Sequence, residues 1–456
     1  MPKADLAAYA GREQAYVKHY LLEKYLAPLV YKVGSKWDSI VYIDAFSGPW
    51  RTTRKDYADS SFAIAIETLR EARAGLMERG RKLRIESILV EEDKGAFAAL
   101  ESFAATQASQ GFGVQALCGA FVEKIPAINR IIREKAPNPF KFVFLDPKGW
   151  TDIPMRNMQD FLRGRSGEVL INLMTRHIIR FLEEEDRAES YNKLFGRNEV
   201  LDSLKRIPRE NNERAEQAVR EYCRSLKQLC AFKYVSSAVI LEPDQESVKY
   251  YLVYATNDFH GVDVFNAAES AAAQIQDEIR YSGRRSETQQ TEMFLAGGSQ
   301  QSRLARQLYS RYRSKALTRV LEMLCESPAS RGVEYTELYC EAMAFPLVGR
   351  DDLMKWLRDL EAHIRLVLTG PSKRKKPSPG EDDRVVIVVW ILDHSHVQFF
   401  LPFAECGVCC AIDSFKISPP NRFCDQPVVT DLPKFVAADS NVFFPFLSLQ
   451  RNIDGI

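Results

Sequence analysis

Along roughly the first 270 residues, short apolar runs alternate with stretches whose apolar residues recur at helical spacing. Residues 13–26 (EQAYVKHYLLEKYL) place Tyr16, Val17, Tyr20, Leu21 and Lys24 at helical intervals and predict an amphipathic helix. SIVYIDAF follows as a buried strand ending at Asp44, and Phe62, Ile66 and Leu69 then share one helical face. The alternation continues with the strand IESILVEE, a helix around Phe97 to Phe103, the strand VQALC and a helix near Val122 to Arg133. FKFVFLD, the helix MRNMQDFL and the strand EVLINLM complete it. Near-continuous apolar strands separated by helices predict a parallel sheet covered on both faces. Chemistry is then expected at the carboxyl ends of those strands.

The rest of the chain breaks that rhythm. The charged stretch 178–226 reads as a helical insertion. FKYVSSAVIL and KYYLVYAT, separated by the turn-rich EPDQESV, predict an antiparallel hairpin. Five parallel strands closed by such a hairpin form the layout of a Rossmann-like class I methyltransferase sheet, assigned to residues 1–270. Residues 271–311 are rich in Gln, Ser and Arg and are expected to be a linker. ALTRVLEMLCE, EYTELYCEAMA and RDDLMKWLRDLEAHI then predict three helices, and IRLVL and RVVIVVWIL two strands around TGPSKRKKPSPGEDD. That order predicts a winged-helix-like α+β domain over 312–392. The remaining residues, 393–456, show no sustained period and are read as an irregular tail.

Composition narrows the function classes. With 456 residues, 46% hydrophobic and 27% charged, the chain is long enough for two or three packed domains. Lys plus Arg number 62 against 61 Asp plus Glu, a net charge of +1 that argues against a wholesale nucleic-acid coat but not against a local basic face. No apolar run resembles a secretory signal or reaches the roughly 18 residues of a membrane helix, so a cytoplasmic protein is expected. The nine cysteines are mostly single and predict no disulfide framework. Cys406, Cys409, Cys410 and Cys424 include one CxxC pair, but a zinc site needs a second close pair, and no metal is expected.

The strand ends carry the candidate chemistry. IDAFSGPWRT places Asp44, Phe46, Gly48 and Pro49 at a strand-to-helix turn where backbone approaches a ligand closely. Asp44 is the candidate for the amino-acid end of S-adenosylmethionine (SAM). In VEED, Glu91 is the candidate ribose acceptor, with Glu92 and Asp93 as alternatives and a solvated acidic loop as the competing reading. The third strand closes at Cys118 and Gly119 without the acid that often stands beside adenine; Cys118 is read as a small core residue. The strongest signal is FVFLDPKGW: Asp146 and Pro147 end a central strand, with Lys148 next. A carboxylate and a carbonyl there accept hydrogen bonds from a target amine and aim its lone pair at a methyl group, which is catalysis by positioning. A helix N-cap role for Asp146 is the alternative. Asn172, near the end of EVLINLM, lines the same pocket or satisfies backbone groups there. In the C-terminal segment Arg350, Lys355 and Arg358, with the wing run Lys373, Arg374, Lys375 and Lys376, are candidate phosphate contacts.

DAFSGP, VEED, FLDPKG, EVLINLM, LFG at 194–196 and YYLVYAT, in this order, resemble the three-Cys-motif partner proteins, which are bacterial and phage-associated. The resemblance covers residues 13–270 and, more weakly, the segment to about 390. It implies a SAM-binding fold and a radical-SAM-type protein as partner, with no substrate. The Asp-Pro turn is also similar to that of tRNA guanine-N2 methyltransferases. Ser47 and Trp50 replace small residues of the family's DAFAGPG, and Lys148 replaces the usual aromatic, which removes a ring able to stack on a flipped base. Two functions follow as expectations: SAM-dependent N-methylation of RNA or DNA, or a non-catalytic SAM-fold protein that binds or regulates a radical-SAM-type neighbour.

Overall fold

The structure is a computed structural model. It describes residues 6–287, 303–360, 364–367 and 384–387, apart from 49–51, 53, 55, 137, 165, 209–212 and 328–331. Pro49, Trp50, the wing residues Lys373, Arg374, Lys375 and Lys376, and the four tail cysteines therefore lie outside the described residues.

Five parallel strands, β1 (Ser39–Asp44), β2 (Arg84–Glu91), β3 (Gly113–Cys118), β4 (Phe140–Leu145) and β5 (Gly167–Leu173), form the sheet with the hairpin β6 (Tyr234–Leu241) and β7 (Val248–Thr256). The order is β3-β2-β1-β4-β5-β7-β6, with β7 antiparallel to both β5 and β6. This is the class I methyltransferase sheet. The order reverses between β1 and β4, which pair directly through Asp44 opposite Phe144. A crevice opens beyond the carboxyl ends of strands at such a reversal.

Strand residues alternate between two cores, as period-2 geometry requires. Ile40, Tyr42, Phe142 and Leu170 face a layer built from α1 (Glu13–Gly34), α2 (Ser61–Glu78), α3 (Lys94–Ser109) and α10 (Phe259–Glu287). Val41, Ile43, Val143 and Ile171 face the opposite layer. That layer holds α4 (Phe121–Lys135), α5 (Met155–Leu162) and the insertion α6 (Thr175–Arg180), α7 (Ala188–Phe195), α8 (Val200–Lys205) and α9 (Glu213–Cys230). Each fully buried large side chain contributes about 1.5–3 kcal/mol, so the two cores fix where the strand ends stand.

The segment after α10 joins the second core. Residues 271–311, expected to be a linker, carry helix at both ends: α10 runs to Glu287 and α11 (Arg303–Glu326) begins at Arg303. α11 is followed by β8 (Val333–Glu334), α12 (Tyr335–Ala342), α13 (Arg350–Asp359), β9 (Ile364–Val367) and β10 (Arg384–Ile387), with the small antiparallel sheet ordered β8-β10-β9. Leu308, Tyr312, Val320, Leu338 and Leu353 are buried in the core of the insertion layer. The Tyr312 and Tyr251 hydroxyls lie 2.7 Å apart, and buried Glu216 of α9 accepts from Arg311 and, at 2.7 Å, from Lys315.

No described helix is long and apolar enough to cross a membrane.

Candidate functional site at the strand ends

β1 delivers Asp44 fully buried at the point of reversal. The turn after it folds back on the carboxylate: Phe46 N–H donates to Oδ1 at 3.1 Å and Ser61 Oγ donates to Oδ2 at 3.1 Å. Ser47 ties the turn to both strands, its Oγ donating to Asp44 O at 2.9 Å and its N–H to Val90 O at 2.8 Å. Burial pushes the Asp44 carboxyl up to about 7; the bonds from Phe46 and Ser61 offset this in part, and the Asp146 charge adds to it. A buried carboxylate held by neutral donors suits a ligand that brings a cation, such as an α-ammonium. Phe46 is half-buried, its ring centroid 6.3 Å from that of Phe121, and Gly48 is half-buried beside it.

The three acids that close β2 separate by role. Glu91 is buried and accepts Asp93 N–H at 2.7 Å, while Asp93 caps α3 by accepting Ala96 N–H at 2.8 Å. Glu92 is exposed. Of the three, Glu91 is the one buried at the strand end. Burial raises its carboxyl, and the Asp93 N–H and the Lys148 charge pull the other way. Lys148 is exposed at the end of β4. Gly119 has φ +136 and donates to Glu91 O at 2.9 Å. That backbone conformation requires glycine, and a Cβ there would also collide with the Lys124 side chain. Cys118 is half-buried, with a free thiol.

Asp146 follows β4. Its Oδ1 accepts Asn172 Nδ2 at 2.7 Å, and its Oδ2 accepts the Lys18 ammonium. Burial alone would raise this carboxyl, but the Lys18 charge and the bonds from Lys18 and Asn172 together hold it below the usual value. The structure therefore brings Asp44, Asp146, Pro147 and Asn172 together across the reversal point. The alternative role for Asp146, capping a helix, does not fit: α5 begins at Met155 with Pro154 as its N-cap. Asn172 Oδ1 and Thr175 Oγ1 nearby in sequence are buried without a hydrogen-bond partner.

Sequence reasoning missed Lys18 and His19. Both are buried on α1, which covers the strand ends from the other layer. His19 Nδ1 pairs with the Tyr9 hydroxyl at 2.9 Å. Burial first, and the Lys18 charge second, push the imidazole down to about 3, so it is neutral at physiological pH. The signal available was a Lys-His pair interrupting a stripe of aromatic and aliphatic residues.

Arg350, Lys355 and Arg358 lie on α13 and are exposed, with Asp351 and Asp359 exposed beside them. Buried Asp352 is turned inward, where it accepts Gly349 N–H at 3.0 Å and pairs with Arg313.

No family model matches the chain, and no curated protein matches it. Among solved structures it is similar to a loganic acid methyltransferase with SAH, at 11% identity over 62% of this chain and 91% of that one, with a TM-score of 0.26. At that score the likeness adds no support to any residue of the site.

Proposed function

We propose that the chain is a SAM-dependent methyltransferase that N-methylates an amine on RNA or DNA. The observation that carries this reading is the Asp146–Asn172 pair standing beside buried Asp44 at the reversal of a methyltransferase sheet. The donor set fits SAM: Asp44 is an anion in waiting for the α-ammonium, and Glu91 is a buried acceptor for ribose hydroxyls. SAM would supply an electrophilic methyl group. Asp146 and the Pro147 carbonyl would accept N–H bonds from the amine and hold its lone pair toward that methyl, so that catalysis is largely positioning.

The C-terminal order helix, strand, helix, helix, strand, strand supports a winged-helix reading of α11 to β10, with Arg350, Lys355 and Arg358 on its third helix as phosphate contacts. Resemblance to the three-Cys-motif partner proteins adds a radical-SAM-type protein as a candidate partner. The second reading, a non-catalytic SAM-fold regulator of that partner, is favoured by one observation: a lysine already sits on Asp146.

Asp146→Ala tests the first reading. The purified variant should keep its circular dichroism and SAH affinity and lose transfer of labelled methyl from SAM to bulk RNA or single-stranded DNA. Wild-type protein that binds SAH but labels neither probe would favour the regulator.

A further inference from the structure

Both Asp146 oxygens are taken, and by groups of different kinds. Asn172 reaches Oδ1 from the buried strand β5 and is 3% exposed. Lys18 reaches Oδ2 through a four-carbon stem on α1. An amine approaching Asp146 can displace the flexible lysine far more readily than the strand-held amide. While paired with Asp146, the Lys18 Nζ already lies 6.0 Å from the centroid of the Tyr250 ring, so that ring face is within reach of a displaced ammonium; Tyr250 is pinned to α1 by its hydroxyl bond to Gln14 O at 2.9 Å.

We propose that Lys18 is the positioning residue of this site: its ammonium occupies the Asp146 oxygen that an acceptor amine must take, and the site accordingly serves weakly basic amines such as the exocyclic amino group of a nucleobase. This rests on reading Asp146 as the amine acceptor.

The chemistry sets the selectivity. In methyl transfer a nitrogen lone pair forms the N–C bond while the C–S bond breaks and its electron pair stays on sulfur. A proton then leaves the nitrogen, to Asp146 or water. An aliphatic amine held against a permanent carboxylate stays an ammonium, has no lone pair and cannot attack; Lys18 itself is such an amine. An exocyclic amino group is neutral already. One of its hydrogens can replace Lys18 on Oδ2, and buried Asn172 Oδ1, which has no donor, offers a place for the other. The groups facing Asp146 are Lys18 and His19 from α1, Tyr42 and Asp44 from β1, Asn172 from β5 and Tyr250 from β7. Among them Lys18 is the one cation, since His19 is neutral. Without Lys18, burial and the Asp44 carboxyl would both favour protonated Asp146.

The test uses the full chain labelled with [13Cγ]aspartate, with Asp146→Asn identifying the Asp146 signal by its loss. In the wild type that signal should stay at its ionised position from about pH 8 to pH 5. In Lys18→Met, and in Lys18→Gln as a second variant, it should titrate inside that window, and Lys18→Arg should restore the wild-type curve. Lys18→Met or Lys18→Gln curves that superimpose on wild type would overturn the proposal. Mass spectrometry after long incubation with excess SAM should find Lys18 unmodified; a methyl on Lys18 would overturn it too. If the titrations come out as expected but Asp146→Asn still methylates RNA, the acceptor reading fails while the Lys18–Asp146 electrostatics stand.

Discussion

On the proposed reading, Asp44 makes the affinity for SAM or SAH depend on pH in a direction set by its burial. Its carboxyl is pushed up to about 7 by burial, against an ordinary aspartate value of about 3.9. A bound α-ammonium favours the ionised form, so binding takes up the carboxylate and releases the proton held at lower pH. At pH 6 about one molecule in ten carries ionised Asp44, and at pH 8 about nine in ten do. SAH should therefore bind about tenfold more weakly at pH 6 than at pH 8, a difference of about 1.4 kcal/mol. Glu91, also raised by burial, acts in the same direction. Calorimetry in buffers of different ionisation enthalpy should count close to one proton released per SAH near pH 6 and almost none near pH 8. Asp44→Asn should abolish most of both effects and weaken binding at pH 8. Equal affinities and no proton release across that range would refute the assignment of Asp44 to the ammonium.

Glu269 of α10 gives a stability counterpart. It is 3% exposed, burial pushes it up to about 8, and its Oε1 accepts Leu347 N–H at 2.8 Å. A carboxyl raised in the fold contributes stability while protonated and loses it as pH rises toward that value. Glu269→Gln should then match wild type at about pH 4 and melt higher at pH 9 by calorimetry; a lower melting temperature at pH 9 would contradict it. Removing Glu216, which holds Arg311 and Lys315, should cost about 2 kcal/mol in urea unfolding and speed hydrogen exchange across α11; the partners' partial exposure keeps this below a fully buried pair. On the proposed reading of α13 as a phosphate contact, replacing Arg350, Lys355 and Arg358 with Gln should reduce the salt slope of RNA or duplex DNA binding by about 0.9 for each phosphate left without its cation; an unchanged slope in gel shifts would refute that role.

The strands were legible because a buried parallel strand is nearly all apolar, and that signal is local. β1, β2, β4 and β5 fall where SIVYID, IESILVE, FKFVFL and EVLINL predict them. The placement of Asp44, Glu91 and Asp146 at strand ends was legible because each closes such a run. α11 starts well before ALTRVLEMLCE, since Gln, Ser and Arg mark an exposed surface without forbidding a helix. The two-residue β8 is too short to carry a period. Lys18 was invisible for a different reason. A lysine on an amphipathic helix defaults to the solvent face, and the partner that reverses this lies 128 residues away on another element. Glu168 on β5 hides in the same way: the hydroxyls that satisfy it come from Tyr25, on α1, and Thr256, on β7.

Those long-range bonds bear on how the site can open. α1 is not a lid resting on the sheet. Tyr25 is fully buried, donates to Glu168 and lies 2.8 Å from the Tyr254 hydroxyl, and Tyr250 bonds back to Gln14. Leu21, Leu22, Tyr25 and Leu26 are all buried in the same core as Phe142 and Tyr254. Lifting the helix would expose several such side chains at about 1.5–3 kcal/mol each and leave Glu168 with one fewer donor. Moving Lys18 off Asp146 breaks one ion pair that is 11% and 15% exposed at its two ends, and Tyr250 lies within reach of the released ammonium. The smaller step is a rotamer change within a fixed helix. On the proposed reading, access to Asp146 is therefore a competition between a tethered ammonium and an incoming amine, decided on the side-chain scale without a hinge.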